Sequence, residues 1–152
     1  MTTPAKKPKK VPVKVIGKEP PAFKPPLKKA VITCQFGTHG HVWACGYHTG
    51  VDYAAQIGTP VYAVHDGVIT AAQWGKAYGI HIVIQHGYHR YIYAHLSNKT
   101  NLKVGTKIKQ GDLVGQSGIS GNSSSGPHLH LEARVFPYRY ALDAVEPTKC
   151  LK

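Results

Sequence analysis

A chain of 152 residues, 42% of them hydrophobic, suits one domain with a core of its own. No run approaches the roughly 18 apolar residues of a membrane-spanning helix, so no transmembrane segment is expected. The formal charge of +12 is lopsided: residues 1–29 hold nine lysines against the single acid Glu19, with seven of the eleven prolines.

Proline at that density blocks helix and sheet pairing and favours extended backbone. Residues 1–29 therefore read as an arm or linker, and 30–152 as the domain. A basic arm attracts polyanions such as wall teichoic acid, a membrane surface or nucleic acid. A solubilising spacer accounts for it equally well. No apolar stretch follows the basic start, so no secretory signal peptide is expected.

Beyond the arm, short alternating apolar segments are cut by Gly, Pro, Asn and Asp. "AVITCQF" (30–36), "TPVYAVHDGVITAAQW" (59–74), "IHIVIQHG" (80–87), "RYIYAHL" (90–96), "KIKQGDLVGQSG" (107–118) and "HLHLEARVF" (128–136) all read as strands. No long stripe of helical period appears. The expected fold is all-β and mostly antiparallel, with little helix. Cys34, Cys45 and Cys150 form no CxxC pair. A Cys34–Cys45 bridge and two free thiols are both open readings.

The chemistry lies in the histidines. In "GYHTGVDYAA", His48 and Asp52 stand four apart with Gly50 between them, and a glycine lets the backbone bend so that both side chains converge. Imidazole nitrogen with carboxylate oxygen is a zinc-type donor set. Helix, loop and coincidence all fit the spacing, and Asp52 as a turn cap with His48 at the surface is the plainer account. His95 ends the alternating "YIYAHLS". In "SGPHLHLEAR" the strand period sends Leu129 and Leu131 to one face and His128 and His130 to the other. A solvated strand face explains an isolated His-x-His, whereas a metal site needs partners elsewhere. His39, His41, His65, His81, His86 and His89 lack comparable context and read as structural or surface residues. Trp43 and Tyr47 fit either a groove lining or the core.

Together, "GYHTGVDYAAQIGTPVYAVHDGVI", "YIYAHLS", "VGTKIKQGDLVGQSG" and "SGPHLHLEAR" resemble, in order and separation, successive motifs of the lysostaphin/LytM zinc endopeptidase family. The resemblance covers residues 31 to about 147. It implies a β-sheet fold with a groove across one sheet, and cleavage of peptide bonds in bacterial peptidoglycan. It implies that His48, Asp52 and His130 hold one Zn2+ per chain, and that His95 and His128 line the active site without binding the metal. The partners implied are peptidoglycan, anionic wall polymers through the arm, and other virion proteins; nucleic acid is not an expected partner. A phage lysin released through holin lesions or carried on a virion is the expected setting, acting at the cell wall, with a bacterial enzyme whose leader is processed or missing as the alternative setting. The alternative is a non-enzymatic wall-binding or structural virion component that keeps the fold. Residues 117–126, "SGISGNSSSG", depart from the short family turn and would flank the groove, where they tune substrate choice. The bond that is cut is not legible.

Overall fold

The computed structural model describes residues 23–97 and 101–149. Among them the chain forms ten strands and no helix. In order these are β1 (Ile32–Cys34), β2 (Gly50–Ala54), β3 (Pro60–Tyr62), β4 (Gly67–Gly75) and β5 (Gly79–His86). There follow β6 (His89–Leu96), β7 (Lys107–Ile108), β8 (Leu113–Gln116), β9 (His128–Val135) and β10 (Ala144–Val145). The expected all-β, antiparallel fold is borne out.

An eight-stranded sheet runs β1-β2-β9-β6-β5-β4-β7, with β10 paired to the far end of β9; β3 and β8 form a separate two-stranded sheet. Period-two alternation sorts the side chains of the large sheet. Leu129, Leu131 and Ala133 of β9 point into one core with Val51 and Tyr53 of β2 and Tyr91 and Tyr93 of β6. Val61 of β3 and Val114 of β8 join that core, so the small sheet covers the apolar face of the large one. The Tyr93 hydroxyl accepts from the Val64 amide at 2.9 Å, which lets a fully buried tyrosine satisfy its polar end. Leu129 and Leu131 have no exposed surface; truncating either to Ala removes packing worth about 2–5 kcal/mol.

Several segments differ from the sequence expectation. The 59–74 stretch is two strands, β3 and β4, and the 107–118 stretch divides into β7 and β8, with Gly111 in between at φ +87°. Gly50–Ala54, with strand-averse Gly and Asp, is nonetheless a strand. Val51 and Tyr53 bury to 2% exposure and its backbone pairs with both β1 and β9, so tertiary context overrides propensity. The end of the expected arm packs on the domain: Leu27 is buried, Phe23 lies against the core, and the Pro26 carbonyl accepts from the Tyr62 amide. The rest of the arm, residues 1–22, lies outside the described residues.

Candidate metal centre

The face of the large sheet opposite the core carries the histidines. On β9 the residues that alternate with the leucines are His128, His130 and Glu132. β2 pairs with β9 so that Asp52 stands opposite His130, Gly50 opposite Glu132 and Ala54 opposite His128. On the other side of β9, Ala94 of β6 stands opposite His130. Directly opposed residues share a face, so register alone brings Asp52 to His130. His48 enters from the loop before β2.

Three donor atoms converge. Asp52 Oδ1 lies 2.9 Å from His130 Nδ1 and 3.2 Å from His48 Nε2, and the two imidazole nitrogens are 3.1 Å apart. A tetrahedral ion with bonds of roughly 2.0–2.1 Å has ligands about 3.3 Å apart, so zinc fits this triangle. Both imidazole donors are aimed from behind. His48 Nδ1 donates to the Gln35 carbonyl at 3.1 Å, leaving Nε2 for the centre. His130 Nε2 faces Glu132 Oε2 at 3.2 Å, leaving Nδ1 for the centre. The carboxylate behind a ligating imidazole fixes its tautomer and raises its basicity.

Gly50 serves here, though not as a bend. A Cβ at this position would stand 2.4 Å from the Leu131 carbonyl oxygen and 2.7 Å from His130 Cε1. The glycine makes room for the His130 ring beside the neighbouring strand.

Glu132 is wholly buried and fully engaged. It accepts from Thr49 Oγ1 at 2.8 Å, from the Tyr78 hydroxyl at 2.6 Å and from Arg134 Nε at 2.5 Å. Burial alone would raise its pKa, but the His130 hydrogen bond and the charges of His130 and Arg134 hold it at about 2. Burial also opposes the charge on Asp52, and is outweighed by the hydrogen bonds from His130 and His48, which keep it well below the usual carboxylate range. For His130, burial works against the imidazolium, yet its bonds to Asp52 and Glu132 lift the pKa to about 9. Asp52 and Glu132 thus set two carboxylates against the His130 ring, surroundings that favour a cation.

His128 and His95 stand beside this triangle. His128 Nε2 is 3.7 Å from Asp52 Oδ1, and its Nδ1 donates to the Gly126 carbonyl at 2.8 Å. The His95 ring lies 4.8 Å from that of His128 and 6.0 Å from that of His130, centroid to centroid. His95 Nδ1 donates to the Ser120 carbonyl at 2.6 Å. Its backbone is left-handed, at φ 59°, a conformation rare outside glycine and frequent at functional positions. Burial, reinforced by His130 and His128 and only partly offset by the Ser120 bond, lowers its pKa to about 4. At neutral pH it is an uncharged ring with Nε2 free to accept. Both tethering carbonyls come from residues 117–126.

All five residues singled out in the sequence, His48, Asp52, His95, His128 and His130, therefore lie together. Trp43 stacks on His48 with centroids 5.2 Å apart, at the edge of the site; Tyr47 instead donates to the Ala141 carbonyl. Glu132, Tyr78 and Thr49 were missed, although Glu132 extends the His128/His130 alternation by one more step. Cys34 was not connected with the site. It and Cys45 are free thiols, and Cys34 offers its sulfur within 4.8 Å of ligand atoms of His48 and Asp52. Cys150 lies outside the described residues.

Comparison with known proteins gives the family and the fold. The profile of Peptidase family M23 matches residues 46–145, and the chain belongs to that family. A glycyl-glycine endopeptidase, ALE-1, of Staphylococcus capitis is 46% identical over 90 residues, covering 57% of this chain and 24% of the relative. The peptidoglycan DD-endopeptidase ShyA of Vibrio cholerae is 45% identical over 90 residues, covering 58% of this chain and 20% of ShyA. The chain thus spans about a quarter or less of these relatives' length. Among solved structures, the catalytic domain of lysostaphin from Staphylococcus simulans superposes with a TM-score of 0.70 at 35% identity, over 78% of this chain and 89% of that domain. A zinc-containing peptidase from Vibrio cholerae gives a TM-score of 0.67 at 32% identity, over 76% of this chain and 37% of that one. Zinc is the cofactor of the family, and the expected resemblance is borne out.

Proposed function

We propose that this chain is a zinc-dependent endopeptidase that hydrolyses peptide bonds in bacterial peptidoglycan. One observation carries the reading: three N and O donors converge within 2.9–3.2 Å, beside two imidazoles that are each tethered through Nδ1 to a backbone carbonyl. His48, Asp52 and His130 are the three ligands of one zinc, a number typical of catalytic sites, which keep a fourth position free. Zinc bound there supplies a Lewis acid for the scissile carbonyl and lowers the pKa of water to roughly 7.

The chain's own groups do the rest. His95, neutral and held through Nδ1 by Ser120, takes the proton of the attacking water at Nε2. His128, tethered in the same way to Gly126 and adjacent to the His95 ring, helps pass that proton to the departing amine. Positioned groups of this kind contribute roughly 10²–10⁴-fold. The 117–126 loop supplies both tethers, so its unusual length is where substrate choice is set. A basic arm that adds affinity for anionic wall polymers, and a phage lysin or virion-borne setting, complete the proposal.

Loss of turbidity from a peptidoglycan suspension, with and without chelator, tests the activity. Mass analysis of the fragments then identifies the bond. Clearing that is abolished by chelator and restored by zinc is the expected result. Fragment release indifferent to chelator would overturn the metal assignment, and no release under any condition would favour a wall-binding module.

A further inference from the structure

Cys34 stands in a row with the site. Across four neighbouring strands, at one level, the sheet places Cys34 of β1, Asp52 of β2, His130 of β9 and Ala94 of β6 directly opposite one another in turn. Opposed residues share a face. Ala94 offers no donor at its end of the row, whereas Cys34 offers sulfur. That sulfur and one ligand atom each of His48 and Asp52 all lie within 4.8 Å of one another. The thiol is half-buried and unbridged, and among the described residues its Sγ donates to the Gln35 carbonyl, at 4.0 Å. The same carbonyl orients His48, so the end of β1 serves the ring and the thiol together.

We infer that Cys34 is a fourth, displaceable ligand of the metal. This rests on the three-ligand reading above. A metal held here would deprotonate the thiol, with the proton leaving to solvent, and Cys34 would add a thiolate donor beside His48 and Asp52. Thiolate is a strong ligand for zinc and needs no redox step to bind or leave. While bound, the sulfur would take the position that water needs, so peptidase activity would require its withdrawal. β1 suits this, because it is a three-residue strand at the sheet edge, bulged between Ile32 and Cys34.

The test is cobalt substitution of the full chain. One equivalent of Co2+ is expected to give tetrahedral d–d bands with a near-ultraviolet thiolate-to-cobalt charge-transfer band. Cys34→Ala should bind one equivalent at least about tenfold more weakly, without that band, while Cys45→Ala keeps it. In wild-type protein, mapped by peptide mass, zinc should slow iodoacetamide labelling of Cys34 at least tenfold, a measurement that needs no variant to fold. Stoichiometric cobalt without the charge-transfer band, or Cys34 labelled equally fast with and without zinc, overturns this inference alone. Failure of the wild-type chain to bind metal at all overturns the three-ligand reading and this inference with it.

Discussion

Two groups of histidines face opposite fates in this molecule. His48, His95, His128 and His130 each give one ring nitrogen to a carbonyl or carboxylate, and the second nitrogens of His48 and His130 meet at Asp52 Oδ1. His65 is as deeply buried, at 1% exposure, but neither of its nitrogens has a hydrogen-bond partner among the described residues. It stacks on His86 at 5.1 Å and leans on Tyr91 as an aromatic filler. Imidazole chemistry is common to both groups, and burial is shared by His48, His95, His130 and His65. The difference is the tether, which fixes tautomer and direction. A histidine is made functional by the acceptor behind it as much as by the space in front of it.

The largest expected effect comes from removing a donor of the first group. His130→Ala should lose zinc and hydrolysis together, read by elemental analysis and by fragment release. A variant with full metal content would break the comparison at its root. Next comes a ring proposed to act without binding metal. His95→Ala should keep one zinc per chain while activity falls by roughly 10²–10⁴-fold. Wild-type turnover would show that its tether and strained backbone serve only the fold.

The tether itself can be weakened. Glu132→Gln keeps the shape and the Thr49 contact but removes the charge behind His130. Metal affinity should fall by roughly 10–100-fold, measured by competition with a chromogenic chelator. An unchanged affinity would mean that Glu132 serves only Arg134 and Tyr78.

The smallest effect belongs to the second group. Burial, reinforced by His86, lowers the pKa of His65 to about 4, against an ordinary 6.5. As pH falls the unfolded chain takes the proton first, so this site's share of stability is intact above 6.5 and is lost progressively toward 4. In His65→Leu that part of the pH dependence of the melting temperature should flatten. A slope identical to wild type would show that His65 carries none of it.

The histidine motifs are legible in the sequence because each is local. Alternation in 128–133 by itself sends leucines and histidines to opposite faces, and it is the family resemblance of four ordered segments that marks His48, Asp52, His95, His128 and His130 as belonging together. What stays hidden depends on register. Nothing in "AVITCQF" says that Cys34 will face Asp52, because that pairing is fixed by β1 meeting β2 across a bulge. The strand character of Gly50–Ala54 is equally illegible, since Gly and Asp there disfavour the conformation that their neighbours impose. Gly50 reads as a bend for the same reason. Only the adjacent β9 backbone shows that the missing Cβ is what matters. Ser120 and Gly126 act through carbonyl oxygens, which leave no mark in side-chain chemistry.

β9 lies between β2 and β6, while β1 pairs on one side only, with β2. Amide exchange should therefore be slowest along His128–Glu132, where opening requires most of the sheet to separate, and fast at Ile32–Cys34, where an edge can fray by itself. The centre is thus half anchored and half breathing. His130 and Asp52 hold their places for as long as the domain is folded, while Cys34 samples positions on the timescale of local opening.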